Sequence, residues 1–167
     1  MVAGGAGSPL RVLIIDRDEV ARAGMHTLLQ GDARFTVVGE LSRLQTEPAV
    51  RSRPQVIVLD PVDRRGVNAA FIGALAQALP ESRVCVYTEL IDPASFLLAM
   101  EHGARAYLGK GTARADFLLD SLYMLGRHDA VVIDPAIAIE LPGQIRVRLI
   151  LPAGPSESPS ASGRCSR

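Results

Sequence analysis

The chain has 167 residues, of which 48% are apolar, only 4% are aromatic and none is Trp. That is room for one aliphatic-cored domain and a tail. Eighteen basic residues balance eighteen acidic ones, which argues against a general nucleic-acid-binding surface, and no apolar run approaches the roughly 20 residues of a membrane span.

Residues 1–9 are rich in Gly and Ala and lack both the basic and the apolar region of a signal peptide, so they read as a disordered N-terminus. Arg11-Val-Leu-Ile-Ile-Asp16 is an apolar strand ending in an acid. Asp18 is placed to cap a helix whose stripe is Val20, Ala21, Met25, Leu28 and Leu29, stopped by Gly31. Residues 35–41 form the next strand, and 41–53 a weaker helix with Pro48 tolerable only near its first turn. Residues 54–60, Pro-Gln-Val-Ile-Val-Leu-Asp, are a strand buried on both faces with Asp60 at its tip.

A loop is expected over residues 60–66 and a helix over 68–79, with Phe71, Ile72, Leu75 and Leu79 on one side. Residues 83–88 are the fourth strand; Cys85 lies in this apolar run and reads as a small core residue. Asp92 caps a helix with Pro93 at its first position, running to His102 and closed by Gly103. Residues 106–110 are a short fifth strand, and Thr112 is expected to cap a last helix carrying Phe117, Leu118, Leu122 and Leu125. Strand and helix alternate five times, which means a parallel sheet with helices on both faces.

Residues 10–128 are therefore the expected domain. Residues 129–150 read as a linker-like segment, whose apolar part over 131–141 either packs on the domain or starts the linker. From about residue 151, Pro, Ser, Gly and Ala dominate, as in a disordered tail. Cys165 lies in that tail, neither cysteine has metal-ligand spacing, and a reducing cytoplasm fits. His26, His102 and His128 fall on helices without ligand-spaced partners and read as surface residues.

In an open parallel sheet, sites form at the C-terminal tips of the strands. Those tips carry Asp16, Asp60, Thr88 and Lys110. Two carboxylates, a hydroxyl and an ammonium in one cleft suit phosphoryl chemistry: a carboxylate as nucleophile, the Lys and Thr on phosphoryl oxygens, and a second acid helping to hold Mg²⁺. No Gly-rich phosphate loop or catalytic triad supports an enzyme of similar topology.

The run Arg11-Val-Leu-Ile-Ile-Asp16, Arg22-Ala-Gly24, Val37-Val-Gly-Glu40, residues 54–60, Thr88 and Gly103-Ala-Arg-Ala-Tyr-Leu-Gly-Lys110 resembles the receiver domains of bacterial two-component response regulators, in the branch that carries a LuxR-type helix-turn-helix. The resemblance covers about residues 10–141. It implies a flavodoxin-like (CheY-like) α/β fold, doubly wound, with five parallel strands in the order 2-1-3-4-5. It implies Asp60 as phosphoacceptor, Asp16 and Asp60 as metal-side acids, Thr88 and Tyr107 as the switch pair, and Lys110 as the phosphate-contacting lysine. It also implies a sensor histidine kinase as partner, self-association through the last helices and strands, and transcription regulation in the cytoplasm.

Three positions depart from the family pattern. Arg17 stands where the family has a second acid that contacts Mg²⁺; either it pairs with Asp16 or Asp60 and repels the cation, or it points to solvent and leaves the cleft merely metal-poor. Glu89 follows Thr88 where a small residue is usual, and Arg64 stands where Pro is usual. Phosphorylation at Asp60 is therefore expected to be weak or absent. The competing reading is a phosphorylation-independent pseudo-receiver, a ligand-binding or dimerisation module. The family's DNA-binding domain is not expected in this chain: residues 158–167 admit a reading displaced by two bases, Thr-Glu-Arg-Glu-Arg-Glu-Val-Leu-Glu, like the opening of such a domain. The tail is thus expected to be out of frame and to make no DNA contact.

Overall fold

Strand β1 (Leu10–Ile15) shows why the sheet is covered on both faces. Leu10, Val12 and Ile14 bury their side chains on one side, Leu13 and Ile15 on the other, all at most 1% exposed. Alternate residues of a strand point to opposite faces, so a strand apolar at both sets of positions demands a layer of helices above and below. The computed structural model describes residues 7–141, and the expected tail over 151–167, with any frame shift in it, lies outside them.

After β1 come α1 (Glu19–Gln30), β2 (Phe35–Leu41), α2 (Thr46–Ser52) and β3 (Val56–Leu59). A two-stranded hairpin, β4 (Val62–Asp63) and β5 (Gly66–Val67), precedes α3 (Ala69–Ala78), β6 (Arg83–Thr88), α4 (Pro93–Glu101), β7 (Ala104–Gly109) and α5 (Ala115–His128). The described chain closes with β8 (Val132–Ile133) and α6 (Pro135–Glu140). The sheet order is β2-β1-β3-β6-β7-β8, every neighbouring pair parallel. The five expected strands stand in the expected flavodoxin-like order. Met25 and Leu29 of α1 and Leu118, Leu122 and Leu125 of α5 cover one face. Ala49 of α2, Phe71, Ile72 and Leu75 of α3, and Phe96 and Ala99 of α4 cover the other.

Four expectations need correction. Among the described residues the sheet has six strands, because β8 pairs with the outer edge of β7, Ala106 against Val132 and Tyr107 against Ile133. The segment from residue 129 is accordingly no linker over its described part: Ile137 and Leu141 are 1% and 3% exposed in the same core as Phe96 and Tyr107. The loop after Asp60 contains the β4–β5 hairpin, turned at Gly66 with φ +107, and Arg64 sits exposed at its tip. Val20 is 81% exposed and leaves the α1 stripe to Met25 and Leu29. The β1–β2 register shifts between Val12 and Leu13.

Helix α5 crosses the sheet closely at Gly126, where an added Cβ would lie 2.8 Å from Leu10 Cδ1 and from Val56 Cγ2. A branched side chain there must displace two fully buried residues. Gly126→Val is expected to destabilise the fold by about 1–3 kcal/mol, read as a lower urea midpoint at unchanged m-value.

Candidate functional site

Register places the site. Ile15 pairs with Leu59 across β1 and β3, so the next residues, Asp16 and Asp60, leave the sheet side by side, and the Asp60 amide donates to the Ile15 carbonyl at 2.9 Å. Thr88 pairs with Gly109 across β6 and β7, and the Lys110 amide donates to the Thr88 carbonyl at 2.9 Å. All four expected side chains therefore line one open cleft of about 430 Å³, with Arg17 and Glu89 on it as well.

Lys110 Nζ stands 2.7 Å from Asp16 Oδ2 and 2.7 Å from Asp60 Oδ2. The three side chains are only 13%, 9% and 17% exposed. The other carboxylate oxygens are taken by backbone: Asp16 Oδ1 accepts from the Asp18 amide at 2.8 Å, and Asp60 Oδ1 from the Val62 amide at 3.1 Å. Burial by itself would push the Lys110 ammonium down, but its hydrogen bonds to Asp16 and Asp60, and their charges, win and hold its pKa above the ordinary lysine value. The ammonium is thus the positive charge that lets two acids share a partly buried cleft.

Of the two courses open to Arg17, pairing with an acid is not the one taken. Its guanidinium donates to the carbonyl of Val62 on the β4 strand and makes no ion pair with Asp16 or Asp60. The facing oxygens of both acids are already on Lys110, while the hairpin presents an open carbonyl. Glu89 is exposed at the rim, turned toward solvent. Asp18 is committed elsewhere: its Oδ1 caps α1 by accepting from the amides of Val20 and Ala21 at 2.8 and 3.0 Å, and these bonds lower its pKa.

That donor set fits Mg²⁺ poorly. Asp16 and Asp60 are two carboxylates of the right kind, but both turn an oxygen to the ammonium, and Arg17 adds a fixed positive charge at the rim. Among the described residues no group of three or more His, Cys, Asp or Glu is placed to hold a metal ion.

Thr88 and Tyr107 meet on one residue. The Thr88 hydroxyl accepts from the Leu90 amide at 3.3 Å, and the Tyr107 hydroxyl donates to the Leu90 carbonyl at 2.7 Å. Tyr107 is fully buried, edge-on to Phe96 with ring centroids 5.9 Å apart. Burial, then the charges of Asp92 and Asp60, push its phenol well above the ordinary range. Cys85, fully buried, has its thiol pushed up to about 12 by desolvation and serves as core.

Three features escaped the sequence reading. Arg22 Nη1 donates to the Asp16 carbonyl at 2.8 Å and steadies the β1–α1 turn. His26 is not without a partner: its Nδ1 contacts Glu40 of β2. Asp134 is 1% exposed and bonds the turn around Lys110. Its signal was present, since Asp134-Pro135 repeats the Asp92-Pro93 pattern of a capped helix start. Thr112 does not cap α5, whose N-cap is Arg114 without a side-chain bond; its hydroxyl goes to Asp134 instead.

No protein-family model matches the chain. It is 31% identical over 115 residues to a Ycf55-like protein of Synechocystis sp., a match spanning 66% of this chain and 20% of that protein. To the transcriptional regulatory protein LiaR of Bacillus subtilis it is 27% identical over 142 residues, 84% of this chain and 64% of LiaR. The chain thus spans less than two thirds of the length of these relatives. Among solved structures, a LuxR-family two-component response regulator from Aurantimonas sp. SI85-9A1 superposes with TM-score 0.72 at 22% identity, over 84% of this chain and 99% of that one. Among the described residues no helix is long and apolar enough to cross a membrane.

Removing the ammonium leaves two facing carboxylates uncompensated. Lys110→Met is expected to destabilise the fold by about 3 kcal/mol, and adding Asp16→Asn to it is expected to recover part of the loss, both read from urea midpoints. A lysine whose pKa is raised by folding gives stability that is complete below its unfolded value of 10.5 and is lost as pH climbs through the raised one. Wild-type stability should therefore fall, as pH climbs beyond 10.5, more steeply than that of Lys110→Met.

Proposed function

We propose that this chain, whose homologues are LuxR-family response regulators and whose fold is that of their receiver domains, is a phosphorelay receiver with an ammonium-locked acceptor site. The observation that carries this reading is Lys110 Nζ at 2.7 Å from both Asp16 and Asp60. Asp60 is the acceptor. One of its carboxylate oxygens attacks the phosphorus of a phosphohistidine or a small acyl phosphate; the new P–O bond forms as the donor's bond to phosphorus breaks and the donor leaves with the electron pair. Lys110 then turns to the phosphoryl oxygens, with the Thr88 hydroxyl as a second donor.

Transfer is weak because nothing replaces the cation. Lys110 must give up a bond to Asp60 before that oxygen can react, and Arg17 opposes Mg²⁺ where an acid would attract it. Mg²⁺ binding is correspondingly weak. The donor is a sensor histidine kinase, and the output is transcription regulation.

The readout follows from the bonds to Leu90. A Thr88 hydroxyl drawn to a phosphoryl group releases the Leu90 amide, while Tyr107 keeps its carbonyl, and residues 89–92 pivot with α4 behind them. Self-association through the last helices and strands responds to that movement. The second reading, a phosphorylation-independent binding or dimerisation module, is favoured by the same ammonium, since a pocket already neutralised by lysine holds one conformation without phosphate.

Incubation with acetyl phosphate is expected to label only a minor fraction of Asp60, with little response to Mg²⁺. Stoichiometric, Mg²⁺-dependent labelling, seen by intact mass, would overturn this reading. Arg17→Asp is expected to raise Mg²⁺ affinity at least about tenfold, or roughly 1.4 kcal/mol, by titration calorimetry; an unchanged affinity would show that Arg17 is not the obstacle.

A further inference from the structure

A carboxylate that is 1% exposed and has no cationic partner among the described residues needs an explanation, and Asp134 is one. Burying such a charge is costly unless hydrogen bonds replace its water. Asp134 Oδ2 accepts from the Gly109 amide at 2.9 Å and from the Thr112 hydroxyl at 2.5 Å. Oδ1 accepts from the Ala136 amide at 2.9 Å, and the Asp134 amide donates to the Tyr107 carbonyl at 2.9 Å.

These partners are not scattered. Gly109 and Thr112 stand immediately before and two residues after Lys110, and Tyr107 stands three residues before it. The turn between them is tight: the Ala113 amide donates to the Gly109 carbonyl at 2.9 Å. A Cβ on Gly109 would lie 2.2 Å from Thr112 Oγ1 and 2.7 Å from Ile91 Cδ1, so the residue has to be glycine for the Thr112 hydroxyl to fold back onto Asp134. From this turn Lys110 reaches Asp16 and Asp60. On its other side Asp134 opens α6, which buries Ile137 and, just beyond it, Leu141 against the core that holds Tyr107.

We propose that Asp134 is a positioning residue of the acidic cleft. It clamps the 109–112 turn so that Lys110 faces both acids, and it thereby couples the docking of β8 and α6 to the state of the cleft. The coupling runs both ways, because any effect of docking on Lys110 implies an equal effect of Lys110 on docking. A change that pulls Lys110 away from Asp16 and Asp60 loosens Gly109 and Thr112, and with them the last described segment of the chain. The inference rests on the cleft being the functional site, but it does not require Asp60 to be phosphorylated.

Two measurements on the full chain test it. Hydrogen exchange compares wild type with Lys110→Met, which leaves every residue of β8 and α6 intact. Amides of residues 133, 134 and 136–138 should exchange about tenfold faster in the variant, relative to those of β1 and β3; an equal change in all of these amides, or none, would overturn the proposal. The reverse direction is read from the side-chain ammonium NMR signal of Lys110 and its rate of acylation. Asp134→Ala and Thr112→Val should each shift or broaden the signal and speed acylation. Asp134→Asn, which keeps an acceptor oxygen, should restore both toward wild type. Thr112 is exposed, so its variant reports even if Asp134→Ala does not fold. A Lys110 signal and acylation rate identical to wild type in Thr112→Val would sink the proposal. Asp60 labelling is indifferent to these outcomes, so failure here and failure of the phosphorelay reading are told apart.

Discussion

The structure depends on one ammonium between two carboxylates. Parallel register puts Asp16 and Asp60 next to each other at the sheet edge, where their repulsion opposes folding. The sheet does not relieve this; Lys110, brought in from a strand two places along from β3, does. An aliphatic core in which each fully buried side chain gives roughly 1.5–3 kcal/mol can carry such a site, but only with the charge balanced. The same contact that makes the cleft compatible with the fold also occupies one carboxylate oxygen of Asp60.

Much of this was legible in the sequence because strands and caps are local signals. Runs such as Val56-Ile-Val-Leu59 announce a strand buried on both faces, and Asp18 and Asp92 each sit before a helix that their side chains do cap. The convergence of Asp16, Asp60, Thr88 and Lys110 followed from topology alone. Side-chain choices between competing partners were not legible. Arg17 has a carbonyl and two carboxylates within its surroundings, and which one it takes depends on Lys110 holding both acids and on a hairpin that two-residue strands cannot advertise. Thr112 was misread for a similar reason: it has the chemistry of an N-cap, but a buried acid 22 residues later offers it a better acceptor.

Strand β7 is where the parts meet. Its Tyr107 reaches Leu90 and the α4 side through the hydroxyl, and reaches Asp134 through the carbonyl. Two residues on, Gly109 holds Asp134, and Lys110 then enters the cleft. One short run of backbone therefore touches the acids, the loop after β6 and the segment after α5.

The two ends of the sheet are finished differently. Beyond β7 lies β8, only two residues long before Pro135 turns the chain into α6, so an incoming strand meets almost no ladder to extend. At the far end β2 runs for seven residues, but its slipped alignment with β1 adds local twist to that border. Among the described residues, growth of this sheet by edge-to-edge addition of another strand is thus blunted by brevity on one flank and by curvature on the other.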